Sequence, residues 1–126
     1  MTTSNPFLID THLPLVAIQG QRAGYIQLAS SKPSETYADL PETALIAAKD
    51  WAQKLETEFN SPRTYWITLS EAVRQLHIHL YPRWPEDTDK SLDLFNQRDT
   101  ESQPKWTPDL IEALQSWAER HQVCLL

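Results

Sequence analysis

Gln75-Leu-His-Ile-His-Leu-Tyr-Pro-Arg83 alternates strictly between two kinds of side chain. A β-strand turns successive side chains to opposite faces. Leu76, Ile78 and Leu80 then share one face, suited to packing under a helix, while Gln75, His77, His79, Tyr81 and Arg83 share the other. Two imidazoles in this pattern stand roughly 6–7 Å apart, given a rise of about 3.3 Å per residue. A row of Gln, His, His, Tyr and Arg is costly to bury and offers little to a core. The pattern predicts a strand over 75–83 whose polar face is solvated or lines a cleft.

Upstream, Arg63 to Leu69 is rich in aromatic and β-branched residues and reads as a strand. Before it lies the clearest helix, Pro41 to Phe59. Ala44, Leu45, Ala48, Trp51, Ala52, Leu55 and Phe59 recur there at helical spacing, with Lys49, Asp50, Gln53, Lys54, Glu56 and Glu58 on the other side. Asn60-Ser-Pro62 ends it, because proline cannot continue the hydrogen-bond ladder. Leu13 to Ile18 and Tyr25 to Ala29 read as two further strands. Gly20 and Gly24, the two glycines of the chain, lie between them and mark a hairpin connection. Residues 30–39 lack apolar periodicity and read as a loop.

Downstream, the stretch from Trp84 to Trp106 turns polar and reads as an excursion over the surface. Thr107-Pro108 is a helix-start signal, with threonine as N-cap and proline at the first helical position. The helix it opens, about 107–121, places Leu110, Ile111, Leu114, Trp117 and Ala118 on one side. The expected fold is therefore α+β: a mainly antiparallel sheet of about five strands, the 41–59 helix on one face, and an extra C-terminal helix.

Composition narrows the functional classes. The 126 residues suit one domain with a real core. Eleven Lys and Arg stand against 17 Asp and Glu, a net charge of −6, which argues against a general nucleic-acid polymer or anionic-membrane binder. A small phosphate ligand needs only a local cluster of donors. Cys124 is the one cysteine, so no intramolecular disulfide forms and a reducing, cytoplasmic setting is the default. Neither a targeting segment nor a membrane span is visible.

The stretch resembles the signature of the histidine triad (HIT) proteins, His-φ-His-φ-His-φ-φ with φ apolar, often followed by Pro-Arg. Here glutamine stands at the first of the three histidines, in Gln75-Leu-His77-Ile-His79-Leu-Tyr-Pro-Arg83. A bacterial branch of diadenosine polyphosphate hydrolase-like proteins is similar in this respect. Gly24 before an apolar strand, a Lys-Pro loop closing on Asp39-Leu40, and a long helix follow the family's order of elements. The resemblance covers a core of about residues 6–86 of a single 1–126 domain and leaves 87–126 as an extension.

That resemblance implies a nucleotide hydrolase or nucleotidyl transferase acting on a purine nucleotide phosphoester, phosphoanhydride or phosphoramidate. His77 takes the place of the nucleophile that forms a covalent nucleotidyl-histidine, and imidazole is suited to this because it is largely neutral near pH 7. His79 would donate a hydrogen bond to a phosphate oxygen or the leaving group. Gln75 would hold a backbone or phosphate oxygen without carrying a proton, and restoring histidine there is expected to keep or raise activity. Arg83, Ser70 and Arg74 are near enough in sequence to bind phosphate. No cofactor or metal is implied, since donors alone can stabilise the charge. The family's habit of pairing subunits through the long helix and adjacent strand implies a homodimer, with Trp51 and Trp66 as interface candidates.

Two positions depart from the pattern. Tyr25 stands where many members carry histidine after the glycine, and Ser70-Glu71 stands where the branch has Gly-Asn. A carboxylate at 71 would repel polyphosphate, which opens the alternative of a catalytically weak nucleotide-binding protein. His-x-His is also a metal-ligand spacing, with His12, Glu71 or Asp87 as possible third ligands. The plainest alternative leaves both histidines on a solvated strand face with no chemistry at all.

Overall fold

The computed structural model describes residues 5–126. A five-stranded mixed sheet has the order β3-β4-β2-β1-β5. Strands β1 (Leu15–Gln19), β2 (Ile26–Ser30), β3 (Arg63–Ile67) and β4 (His77–Arg83) pair antiparallel, and β5 (Val123–Leu125) runs parallel to β1. Helices α1 (Glu42–Glu58), α2 (Ser91–Phe95) and α3 (Pro108–His121) complete an α+β architecture. No helix among the described residues is long and apolar enough to cross a membrane.

Local chemistry explains most boundaries. The β1–β2 hairpin closes with the Gly20 N–H donating to the Tyr25 carbonyl at 2.8 Å. Gly24 has φ of +85°, and a Cβ there would press on Leu55, Pro82 and Trp84. Helix α1 starts after Pro41, and Asn60, at φ +63°, turns the chain away from its end. The Thr107 side chain accepts from the Leu110 N–H to cap α3, with Pro108 in the first turn. Gln122 then adopts the left-handed conformation at φ +56° and steers the chain into β5.

The apolar alternation of β4 works as expected. Ile78 and Leu80 are fully buried in one cluster with Ala44, Ala47, Ala48, Trp51 and Leu55 of α1. Helix α3 adds Leu110, Leu114 and Trp117 to the same cluster, so the C-terminal segment completes the main core. The Trp51 indole donates to the Gly24 carbonyl at 2.9 Å, and that of Trp117 to the Ala47 carbonyl at 2.8 Å. Each buried indole N–H therefore has its acceptor.

Four sequence expectations are corrected here. Strand β4 begins at His77, so Gln75 lies before it; the side chain of Gln75 is buried and bonded to the loop opposite. The polar face of β4 is covered: His77 and Tyr81 are buried, under Phe7 on one side and α2 on the other. The stretch after Trp84 folds back because Leu94 and Phe95 pack on Tyr25 and Tyr81. Trp51 is no interface residue, since α3 seals it inside the core, whereas Trp66 on β3 stays 43% exposed.

Candidate active-site cleft

The covered face of β4 opens at a cleft. This cleft, of about 480 Å³, is lined by Gln27, His77, His79, the 69–73 loop, and Phe95, Arg98 and Asp99 from the segment that folds back. Strand register brings its floor together: β2–β4 pairing sets Gln27 beside His79 and Ala29 beside His77, and β3–β4 pairing sets Ile67 on the other flank of His79.

His77 is held from three directions. Its Nδ1 lies 2.7 Å from the Gln75 carbonyl oxygen. A carbonyl only accepts, so Nδ1 carries the hydrogen and Nε2 presents its lone pair. Phe7 stacks on the ring at 5.0 Å between centroids. The backbone N–H of His77 donates to Ser70 Oγ at 3.2 Å. Ser70 itself sits at φ +53°, a conformation that favours glycine, and that hydroxyl contact is one of the bonds holding the loop against β4.

His79 is held in the opposite sense. Its Nδ1 lies 2.7 Å from the Tyr25 hydroxyl. Burial pushes the Tyr25 phenol well above its usual range, while the nearby Arg98 guanidinium draws it partly back, so the hydroxyl keeps its proton. It donates to Nδ1, and His79 Nε2 therefore carries a hydrogen. Burial, then repulsion from His77 when that ring is protonated and from the Arg98 guanidinium, lowers the His79 pKa to about 4, so this ring is neutral at pH 7. The two rings meet edge to face with centroids 4.9 Å apart. One offers a lone pair and its neighbour offers an N–H.

The tyrosine itself is positioned by backbone. A Cβ on Gly20 would collide with the Tyr25 ring, so the glycine leaves the space the ring occupies. Tyr81, next but one to His79 on β4, meets Tyr25 edge to face at 4.9 Å and accepts from Arg22 Nε at 3.0 Å. Arg22 also forms a bidentate pair with Asp87, at 2.6 and 2.9 Å, and bonds Gln103 at 2.9 Å. Burial alone would raise the Asp87 carboxyl, but the guanidinium and the Trp84 N–H outweigh it and hold it below the usual carboxylate range. This network ties both ends of the 84–103 segment to the hairpin loop, and so fixes Phe95 and Arg98 over the cleft.

Of the residues singled out in sequence, His77, His79 and Ser70 come together in the cleft, along with Glu71. Gln75 contributes only its backbone carbonyl to His77. Its side chain accepts from the Ser34 N–H at 2.9 Å and donates to the carbonyls of Ser30 and Lys32 at 3.0 and 2.7 Å. Arg83 is at the far end of β4, roughly 13 Å from His79 at about 3.3 Å per residue. Arg74 points away and pairs with Glu35 at 2.9 Å on the open surface. Neither arginine lines the cleft. Among the third ligands considered for a metal, Asp87 is taken by Arg22 and His12 is exposed outside the cleft. No group of three His, Cys, Asp or Glu able to hold a metal ion occurs among the described residues.

Tyr25 was marked in sequence only as a departure from the family pattern, and Phe7, Gln27, Phe95 and Arg98 were not foreseen as parts of one site. The sequence signal for the last two was Leu94-Phe95, an apolar pair inside a polar run, which needs burial somewhere. A scan against protein-family models found none that matches this chain, and a search of curated proteins found no match.

Proposed function

We propose that the cleft catalyses nucleotidyl transfer from a purine nucleotide to water or another acceptor, with His77 as nucleophile. The observation that carries this reading is the opposed tautomers of the two histidines. His77 Nε2 attacks the α-phosphorus, a P–N bond forms, and the bond from phosphorus to the leaving group breaks. His79 Nε2–H hydrogen-bonds the departing atom or a non-bridging oxygen; a phosphate leaving group departs ionised and needs no proton at pH 7, whereas the nitrogen of a phosphoramidate takes a proton from water and leaves as the neutral amine. The His77 ring in the adduct is cationic, and its Nδ1–H already meets the Gln75 carbonyl, which steadies that charge. Water then attacks phosphorus, the P–N bond breaks, its proton passes to solvent, and His77 returns neutral. The resemblance to the histidine triad family supports the same chemistry, with Tyr25 orienting the histidine pair in place of the family's histidine.

Incubation with a diadenosine polyphosphate or an adenosine phosphoramidate should release AMP. His77→Ala should abolish release, and His79→Ala should slow it by about 10²–10³. A nucleotidyl adduct trapped by acid-free denaturation should map to His77 by mass spectrometry. An adduct elsewhere, or turnover that survives His77→Ala, overturns the assignment.

Glu71 and Asp99 in the cleft wall favour a second reading, a nucleotide-binding protein of weak activity. It forecasts AMP binding without turnover and a modest affinity change in His77→Ala. A cytoplasmic homodimer belongs to the leading reading, pairing through the exposed edge of β3 and Trp66. Light scattering that shows a clean 14.5 kDa species at micromolar concentration removes the dimer.

A further inference from the structure

Four rings and one guanidinium form a row of contacts, and all but Phe7 line the cleft. Phe7 stacks on His77 at 5.0 Å, His77 meets His79 at 4.9 Å, His79 meets Phe95 at 5.1 Å, and the Arg98 guanidinium carbon lies 4.2 Å from the Phe95 centroid. Arg98 is the one arginine or lysine lining the cleft among the described residues. Its Nη1 donates to the Phe95 carbonyl at 3.2 Å and the guanidinium also meets the Tyr25 hydroxyl, which leaves the remaining N–H groups of the fork for a ligand. A guanidinium resting over an aromatic ring keeps a planar fork of donors, and such a fork can match two phosphate oxygens.

The order of the row has a direction. If phosphorus is attacked from His77 and the leaving oxygen is met by His79, the group beyond that oxygen extends toward Phe95 and Arg98. The same walls carry the carboxylates of Glu71 and Asp99. With His79 neutral, Arg98 is the fixed positive charge that offsets them for an anionic leaving group.

We infer that Arg98 recognises the phosphate next to the scissile one and makes the cleft selective for nucleotides with a phosphoanhydride chain. This rests on the nucleotidyl-transfer reading for its direction, but phosphate recognition is measurable without turnover. Removing Arg98 leaves two carboxylates and no arginine or lysine in the wall, so the loss falls on anionic leaving groups. Hydrogen bonds to charged partners are typically worth enough to change affinity about 10- to 100-fold.

The test uses the full chain and two measurements. Calorimetry should find ATP bound more tightly than AMP by wild type, with that preference reduced about 10- to 100-fold in Arg98→Gln and partly restored in Arg98→Lys. AMP release from a diadenosine polyphosphate should fall by a similar factor in Arg98→Gln, while release from adenosine phosphoramidate changes less than about threefold. A wild type that binds ATP no better than AMP, or an Arg98→Gln variant that keeps the preference, overturns the inference. Equal losses on both substrates also overturn it, because they place Arg98 at the α-phosphate instead. If wild type releases no AMP but its ATP preference disappears in Arg98→Gln, nucleotidyl transfer fails while phosphate recognition by Arg98 stands.

Discussion

The Tyr25 hydroxyl lies 2.7 Å from His79 Nδ1 and sets that ring opposite in tautomer to His77. The contact links the hairpin loop to the middle of β4, and it places a protonated Nε2 beside an unprotonated one. Tyr25→Phe keeps the ring that packs on Tyr81 and Phe95 but removes the hydroxyl. Stability should fall by about 1 kcal/mol, and turnover by about tenfold or more as His79 loses its preferred tautomer. Nitrogen-15 chemical shifts of His79 read the tautomer directly. An unchanged ring spectrum would separate Tyr25 from the chemistry.

Acid should weaken the fold through His79. Its pKa is lowered to about 4 in the folded chain against about 6.5 when unfolded. The unfolded chain therefore binds more protons between these values, and stability rises with pH across that window. Above pH 6.5 the contribution is constant; from there down to about pH 4 stability is lost, on the order of 2 kcal/mol after allowing for the cleft's access to water. Urea melts of wild type and His79→Gln from pH 4 to 7 should diverge in slope only in this window. Parallel curves would assign the acid sensitivity to other groups.

The Arg22–Asp87 pair has side chains 3% and 13% exposed, and breaking one half should be severe. Arg22→Met leaves a carboxylate without its partner and Tyr81 and Gln103 without their donor. A loss of about 3–5 kcal/mol is expected, with Asp87→Asn milder because amide and guanidinium still meet. Hydrogen exchange should show faster opening of 91–99 in Arg22→Met than of α1. Uniform acceleration across the chain would mean that the pair stabilises the whole fold without anchoring this segment in particular.

Gln75→His restores the residue that the histidine triad pattern carries, but the hydrogen bonds of the Gln75 side chain predict the opposite of the outcome expected from the resemblance. Three bonds from one amide join Gln75, two residues before β4, to the backbone of Ser30, Lys32 and Ser34. Imidazole has two ring nitrogens and cannot replace an acceptor plus two donations in that geometry. The variant should lose about 2 kcal/mol or more, with activity falling as the Gln75 carbonyl shifts from His77. A variant as stable as wild type with raised turnover would return the expectation to the one drawn from sequence.

Much of the scaffold was written in local periodicity. The period-2 pattern of 76–80 and the helical stripe of 44–55 state which face is apolar, and burial then leaves one choice of packing. The Thr107-Pro108 cap likewise acts within a single turn. The pairing of His77 with His79 was legible for the same reason, since two positions along one strand share a face whatever surrounds them. Val123–Leu125 was not legible as a strand, because three residues carry no period and only the open edge of β1 gives them a partner.

The cleft's remaining parts depended on how distant segments meet. Arg83 is close to His79 in sequence, but a strand is extended and carries it away. Arg98 returns because burial of Leu94 and Phe95 and the Arg22–Asp87 pair pull its segment over the face. Sequence by itself determined the strand that bears the two histidines and the helix beneath it. Only the tertiary structure decided that the polar face is roofed, that Gln75 serves the backbone, and that Arg98 supplies the charge. Periodicity is a property of neighbours along the chain, whereas a roofed cleft is a property of which far-apart apolar residues share one surface.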